Sequence, residues 1–96
     1  MRGDIEVMFY FYEYKQFLDG FRPAHKINGI LTTGLHRYKK DKDEGTEVAG
    51  TIELLAPEYF ANSLHVGEKI FMYDGSKEIG FAEVKQIINP ILEAER

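Results

Sequence analysis

The chain contains no cysteine, which excludes disulfide bonds, thiolate metal sites and cysteine nucleophiles. It also lacks any hydrophobic run near the roughly 20 residues that span a bilayer. Its first residues do not form the apolar segment of a secretory signal. Together these absences favour a soluble, cytoplasmic protein with no membrane partner.

Positive charge is scarce as well, since 12 Lys and Arg residues face 16 Asp and Glu residues, for a formal net charge of −4. Nucleic-acid binding depends on cations that contact phosphates. The single basic cluster, residues 36–40 with Lys42, is offset by Asp41, Asp43 and Glu44, and we interpret it as a solvated loop. Charge therefore argues against a nucleic-acid partner and is compatible with a basic protein partner.

Recognisable catalytic motifs are absent too. The three histidines lack metal-ligand spacing, and the chain has no G-x-x-x-x-G-K-[ST] phosphate loop. A Ser-His-Asp set drawn from Ser63, His65 and Asp74 lacks the nucleophile-elbow pattern. No carboxylate pair stands out in an apolar setting that would separate its two pKa values. We predict that the protein is not an enzyme and has no cofactor and no metal site.

What the chain does have is strand periodicity. Apolar and aromatic residues alternate over residues 4–14, with Ile5, Val7, Phe9 and Phe11 on a predicted core face. Further strands are predicted over residues 30–38, 47–55, 68–73 and 79–88, and Gly34 inside the first of these indicates a bulge or a close approach. Hairpin turns are predicted at Asn28-Gly29 and Asp74-Gly75.

No segment resembles a helix of twelve residues. One helical turn is predicted over residues 58–61, and residues 89–96 are predicted to be a short tail, frayed or weakly helical. Short strands with turns about every ten residues are typical of a sandwich or barrel. Ninety-six residues make one domain. The residues alone predict an all-β sandwich or barrel, with residues 1–96 as a single domain.

Several segments resemble the C-terminal β-barrel domain of elongation factor Tu. The run Gly20-Phe21-Arg22-Pro23 is similar to that domain's G-[YF]-R-P segment, and residues 52–57 resemble its strand ending in proline. Residues 67–84 resemble its closing hairpin, and residues 4–11 resemble its first strand. The likeness covers residues 4–88. It implies that the fold is a small antiparallel Greek-key barrel of about six strands. It also implies a position for Arg22 near the rim, where it orders loops or contacts a partner.

The chain also departs from this family. Tyr73 stands where the family's closing hairpin usually has arginine, and Ala82 stands where it has a second glycine. The loss of that arginine weakens any inference of a tRNA contact. The second barrel of the elongation factor is missing, and the absent phosphate loop excludes GTPase activity.

The outward side of the first strand suggests a partner site. Tyr10, Tyr12 and Tyr14 share it, and the resemblance places Phe71 and Tyr73 outward as well. Exposed aromatic patches commonly mark interfaces, because tyrosine offers a large contact area and a polar tip. Cross-strand packing that merely stiffens the sheet is the alternative. The predicted partner-binding residues are Tyr10, Tyr12, Tyr14, Arg22, Phe71 and Tyr73.

The function expected from these features is that of a non-enzymatic protein-binding module. One version is a bacterial immunity protein that neutralises a basic toxin domain. A translation factor as partner, or a homodimer that buries the tyrosines, are alternatives. The resemblance also leaves open an RNA- or ribosome-associated accessory protein in translation.

Overall fold

The computed structural model describes residues 3–94, and most of them lie in strands. Two 3₁₀ turns, at Pro57–Phe60 and Pro90–Leu92, are the helical elements of this part of the chain. Within it, no helix reaches the length and apolarity that a membrane crossing requires. The strands are β1 (Ile5–Gln16), β2 (Ala24–Ile27), β3 (Ile30–Lys39), β4 (Glu44–Leu54), β5 (Lys69–Asp74) and β6 (Lys77–Ile87).

The strands close into one barrel in the order β1-β4-β3-β2-β5-β6, and β6 returns to pair with β1. Every neighbouring pair is antiparallel. Strands β2, β3 and β4 follow one another as hairpins while β1 returns beside β4, which is a Greek-key arrangement. The predicted fold class is therefore confirmed. Closure also pairs strands that would otherwise be exposed edges.

Alternation along β1 builds the core, as predicted. The predicted core face of β1 points inward, and its four members are all buried, with Phe9 fully so. On β5, Ile70 and Met72 point inward and are also buried. The core continues around the barrel through Ile27, Val48, Ile52, Leu54, Ala82 and Val84. A core filled by side chains from all six strands is expected of a barrel this small.

The predicted hairpin turns are both confirmed. Asn28 (φ 52°) and Gly29 (φ 78°) have positive φ, as a two-residue turn between β2 and β3 requires. The turn between β5 and β6 follows Asp74, and Gly75 has φ 63° there. Asparagine and glycine tolerate this backbone region at low cost, which is why the sequence marks these turns so clearly.

Two local predictions need correction. Strand β2 was not predicted, because its four residues include Lys26 and follow a proline, and four residues are too few for alternation to stand out. The charged loop between the predicted strands 30–38 and 47–55 is shorter than predicted, since β3 includes Lys39 and β4 begins at Glu44. Residues 36–39 of the basic cluster therefore lie in a strand and not in a solvated loop, and they alternate between the interior and the surface.

The C-terminal segment is more ordered than a frayed tail. The 3₁₀ turn Pro90–Leu92 is capped by Asn89, whose side chain accepts a hydrogen bond from the Ile91 N–H. Leu92 is fully buried, and Leu64 pairs with Glu93 in a parallel bridge. Residues 95–96 of the predicted tail lie outside the described residues. The predicted helical turn at 58–61 occurs one residue earlier.

Candidate functional site

Three aromatic side chains form a row across the outside of strands β1, β6 and β5, which we call the outer aromatic row: Tyr10, Phe81 and Phe71. Both adjacent pairs are direct cross-strand partners. The ring centroids of Tyr10 and Phe81 are 5.0 Å apart, and those of Phe81 and Phe71 are 5.9 Å apart. Phe71 is 38% exposed. Since the core lies on the other face of the sheet, the row faces outward, where Tyr10 and Phe81 are half-buried.

Cations and a further apolar residue border the outer aromatic row. The Lys69 ammonium lies 4.9 Å from the centroid of Phe81. Lys26 on β2 is the cross-strand partner of both Phe71 and Leu31, and Leu31 is exposed. The patch therefore extends from β1 to β3, with lysine stems covering part of it.

Tyr12 and Tyr73 meet at one carboxylate. The hydroxyl of Tyr12 donates a short hydrogen bond to Glu78, and that of Tyr73 donates to the other oxygen at 3.4 Å. The bond to Glu78 and the desolvation that comes with it raise the pKa of Tyr12. Four of the predicted partner-binding residues therefore lie on the two strands that flank β6. Tyr10 and Tyr12 are on β1, and Phe71 and Tyr73 are on β5.

The other two predicted residues are placed differently. Tyr14 is exposed at the far end of β1, where it lines a groove together with Tyr12. Arg22 is exposed and lines a separate depression between β3 and β4, near Glu53. One oxygen of Glu53 is buried without a hydrogen-bond partner among residues 3–94. Asp19, three residues before this arginine, accepts a hydrogen bond from the backbone N–H of Tyr38 at 2.8 Å.

The barrel wall is incomplete where the ends of β1 and β6 separate. Pairing between these strands stops at Phe11 and Gly80. Beyond it, no residue of Tyr12–Tyr14 has a strand partner on either side, because the register with β4 also breaks between Tyr10 and Lys15. On β6, residues 77–79 have no partner on β1. We call this gap, between residues 12–14 and 77–79, the open seam.

Side chains bridge the open seam where the backbone ladder does not. Tyr12 bonds to Glu78 across it, and the Lys77 ammonium lies 3.5 Å from the Glu13 carboxylate. All of these groups are exposed, so each contact contributes little to stability. A groove of about 260 Å³ lies in the seam. Its lining joins residues of both strand ends to Phe21 from the loop before β2.

Lys15 forms the inner part of this groove. Its ammonium lies 3.7 Å from the ring centroid of Phe21 and 4.5 Å from that of Phe11, both within cation–π range. Partial burial lowers the pKa of Lys15, and the charge of Asp74 opposes that shift. No carboxylate in residues 3–94 lies within 4.0 Å of this ammonium. The groove thus contains a half-buried cation without an ion-pair partner.

A chain of polar side chains crosses the sealed interior. The Nε2 atoms of His25 and His36 are 2.8 Å apart, and Nδ1 of His36 lies 2.8 Å from the hydroxyl of Tyr38. Both histidines have no exposed surface. His25 lies on β2, and His36 and Tyr38 lie on β3. The pairing of β2 with β3 and the alternation of side chains along β3 bring the three together.

The two distances fit either direction of donation along the three groups, because the role of each ring nitrogen depends on its tautomer. We assign the direction in which the Tyr38 hydroxyl donates to Nδ1 of His36, since this is the only hydrogen bond of that hydroxyl within residues 3–94. Nε2–H of His36 then donates to Nε2 of His25, and Nδ1 of His25 carries the remaining proton. That atom makes no hydrogen bond within residues 3–94.

Burial holds these imidazoles neutral. Desolvation lowers the pKa of His25 to about 4, and the carbonyls of Thr32 and Pro23 partly oppose it. Desolvation, reinforced by His25 and by Lys15, lowers the pKa of His36 well below its usual range. Burial likewise raises the pKa of Tyr38. Because both imidazole rings are sealed from solvent, the three hydrogen-bonded side chains belong to the barrel core and are not accessible to a substrate.

Sequence reasoning missed Lys15, Phe81 and Glu78, and it weighed His36 only as a metal ligand or a loop residue. A signal for the buried chain was present: Gly34, His36 and Tyr38 alternate along a predicted strand. No comparable signal marks the open seam, because it arises from a break in register. Among residues 3–94, no three His, Asp or Glu side chains are grouped as a metal site would need.

Comparison with known protein-family models and with curated proteins finds no match to this chain.

Proposed function

We propose that the protein is a non-enzymatic protein-binding module and that the outer aromatic row is part of its contact face. The observation that supports this proposal is the row itself: three aromatic rings in contact on the outside of a barrel whose core is already filled. Contiguous apolar surface on a small soluble domain is costly to leave exposed and commonly serves binding. Aromatic residues are also enriched among the side chains that contribute most to interfaces.

The charge of the chain favours a basic partner. The net charge is −4. At the row itself, Glu47 is the strand partner of Tyr10 on the β4 side, whereas Lys26 and Lys69 lie beside Phe71 and Phe81. A net negative charge speeds association with a positively charged protein. A basic toxin domain is a partner of this chemistry, which makes an immunity protein the finer version of the proposal. Kinship with the C-terminal barrel of elongation factor Tu stays a prediction; the closed Greek-key barrel is compatible with it.

The test is affinity capture from an extract of the cells that make the protein. The wild type is compared with a Phe71→Ser/Phe81→Ser variant, and Tyr59→Ser serves as the control because Tyr59 is 80% exposed in the first 3₁₀ turn. We expect a basic protein to be retained by the wild type and by the control and to be lost from the double variant. An identical bound set for all three proteins would contradict the proposal.

A further inference from the structure

The open seam presents backbone that a further extended segment can pair with. Residues 12–14 of β1 lack strand partners on both sides, and residues 77–79 of β6 lack a partner on β1. Unpaired strand edges recognise extended chains by main-chain hydrogen bonds. Within residues 3–94, the side-chain contacts across the gap are the Tyr12–Glu78 hydrogen bond and the Lys77–Glu13 ion pair. Both are exposed, so an entering peptide can displace them at little cost. The occupant is therefore an extended peptide segment.

The seam is closed at its inner end. Phe11 and Gly80 pair directly, and a Cβ on Gly80 would collide with the backbone of Tyr10 and Phe11. A segment lying between β1 and β6 cannot continue past this pair. The segment must therefore end in the groove, so one of its two termini lies beside Phe11.

Lys15 decides which terminus fits. Its ammonium lies 4.5 Å from the ring of Phe11 and has no carboxylate within 4.0 Å among residues 3–94. A terminal amine would be repelled by this cation, whereas a terminal carboxylate would pair with it. Asp74 also faces the ammonium, but it is exposed and forms no ion pair there. The inner end of the groove is thus suited to a carboxylate.

The rim of the groove has the opposite character. Glu13, Asp74 and Glu78 line it against the single outer cation Lys77. The tyrosines at positions 12 and 14 are exposed beside these carboxylates and offer ring faces to a cation. Residues preceding the terminal carboxylate would therefore be favoured if they carry Lys or Arg.

We propose that the open seam binds the C-terminal end of an extended, basic segment of a partner protein, with its main chain on the strand edges and its terminal carboxylate on the Lys15 ammonium. This inference rests on the proposed function, because it specifies how part of the partner is held. It involves a surface distinct from the outer aromatic row, and the two can fail separately.

The experiment uses two bead libraries of random heptapeptides, one with free C-terminal carboxylates and one with C-terminal amides. Fluorescent full-length protein is applied to both, and selected peptides are measured in solution. We expect selection of Lys- and Arg-containing peptides from the free-acid library, binding about 10- to 100-fold more tightly than their amides, as a charge-assisted bond allows. Equal binding of acids and amides, or no selection from the free-acid library, would overturn the inference.

Two variants localise the effect. Lys15→Gln retains most of the side-chain stem and removes the charge, and it should abolish the difference between acid and amide. Lys85→Gln removes an exposed lysine that contacts Glu83 outside the seam, and it should behave as the wild type. An acid preference that survives in Lys15→Gln would assign the carboxylate to another site and overturn the inference.

NMR of the wild-type protein provides a test that does not depend on the folding of any variant. In NMR spectra, the amides of residues 12–14 and 77–79 should shift with the free-acid peptide, and the pKa of Lys15 should rise because a carboxylate stabilises its charged form. Shifts confined to the outer aromatic row would overturn the inference while leaving the proposed function standing. Loss of cell-extract capture in the Phe71→Ser/Phe81→Ser variant tests the proposed function independently.

Discussion

The two halves of strand β1 show how differently one strand can be used. From Ile5 to Tyr10 it pairs with β4 on one side and β6 on the other, and its inward side chains are buried. From Tyr12 to Tyr14 it has no strand partner, and Tyr14 is 68% exposed. The first half belongs to the sealed interior and the second to the open seam. The comparison indicates that the paired core and the proposed peptide groove occupy different parts of one strand.

The largest expected difference between the two halves is in stability. Phe9→Ala should lower the free energy of unfolding by about 3–5 kcal/mol, because it empties a fully enclosed position in the core. Tyr12→Ala should lower it by less than about 1 kcal/mol, because its ring is half exposed. Urea unfolding of both variants measures the two changes. A larger loss of unfolding free energy for Tyr12→Ala than for Phe9→Ala would contradict the assignment of Phe9 to the core and of Tyr12 to the surface.

The sealed interior also predicts a dependence on pH. The unfolded chain binds a proton at His25 with a pKa near 6.5, whereas burial lowers the pKa in the fold to about 4. Between these values the unfolded state binds more protons, so stability falls as the pH falls. His25 alone should contribute a loss of about 3 kcal/mol by pH 4. The lowered pKa of His36 acts in the same direction.

The window from pH 6.5 to 5 isolates the histidines, because most carboxylates titrate lower. Urea unfolding across that window measures the stability, and NMR titration of the ring signals assigns the protons. Constant stability from pH 6.5 to 5, or buried rings that become protonated within this window, would contradict the sealed interior.

A smaller effect is expected at Gly34, which makes room for the buried imidazole. A Cβ there would lie 2.7 Å from Cγ2 of Ile52 and 2.8 Å from Cε1 of His25. Gly34→Ala should therefore cost about 1–3 kcal/mol of stability through overpacking. A double-mutant cycle with His25→Ala measures the contribution of the ring. Strict additivity would show that Gly34 and His25 do not compete for the same space.

The smallest effect is expected at the open seam. Lys77→Ala removes the exposed ion pair with Glu13 and should change the free energy of unfolding by less than about 0.5 kcal/mol. Thermal unfolding at low and high salt measures it, and Lys85→Ala is a matched exposed-lysine control. A loss of more than about 1 kcal/mol for Lys77→Ala alone would mean that side chains hold the seam closed.

Much of the fold could be predicted from residues whose physics is local. Alternation fixes the inward face of β1. The Asn28-Gly29 pair predicts a hairpin turn because both residue types tolerate the positive φ values that the turn requires. The short strand β2 was missed because four residues carry too little pattern. The tyrosines were predicted as a surface feature, but their separation into an outer row and a seam depends on register. Register is a property of strand pairs, and no single segment encodes it.

Amide hydrogen exchange along β1 tests the comparison most directly. We expect slow exchange for the amides from Val7 to Tyr10, which lie in continuous ladders with β4 and β6, and fast exchange for those of Glu13 and Tyr14. The free-acid peptides selected for the seam should slow the second group without changing the first. Equal protection of the two groups in the free protein would show that the seam is closed and would contradict this account.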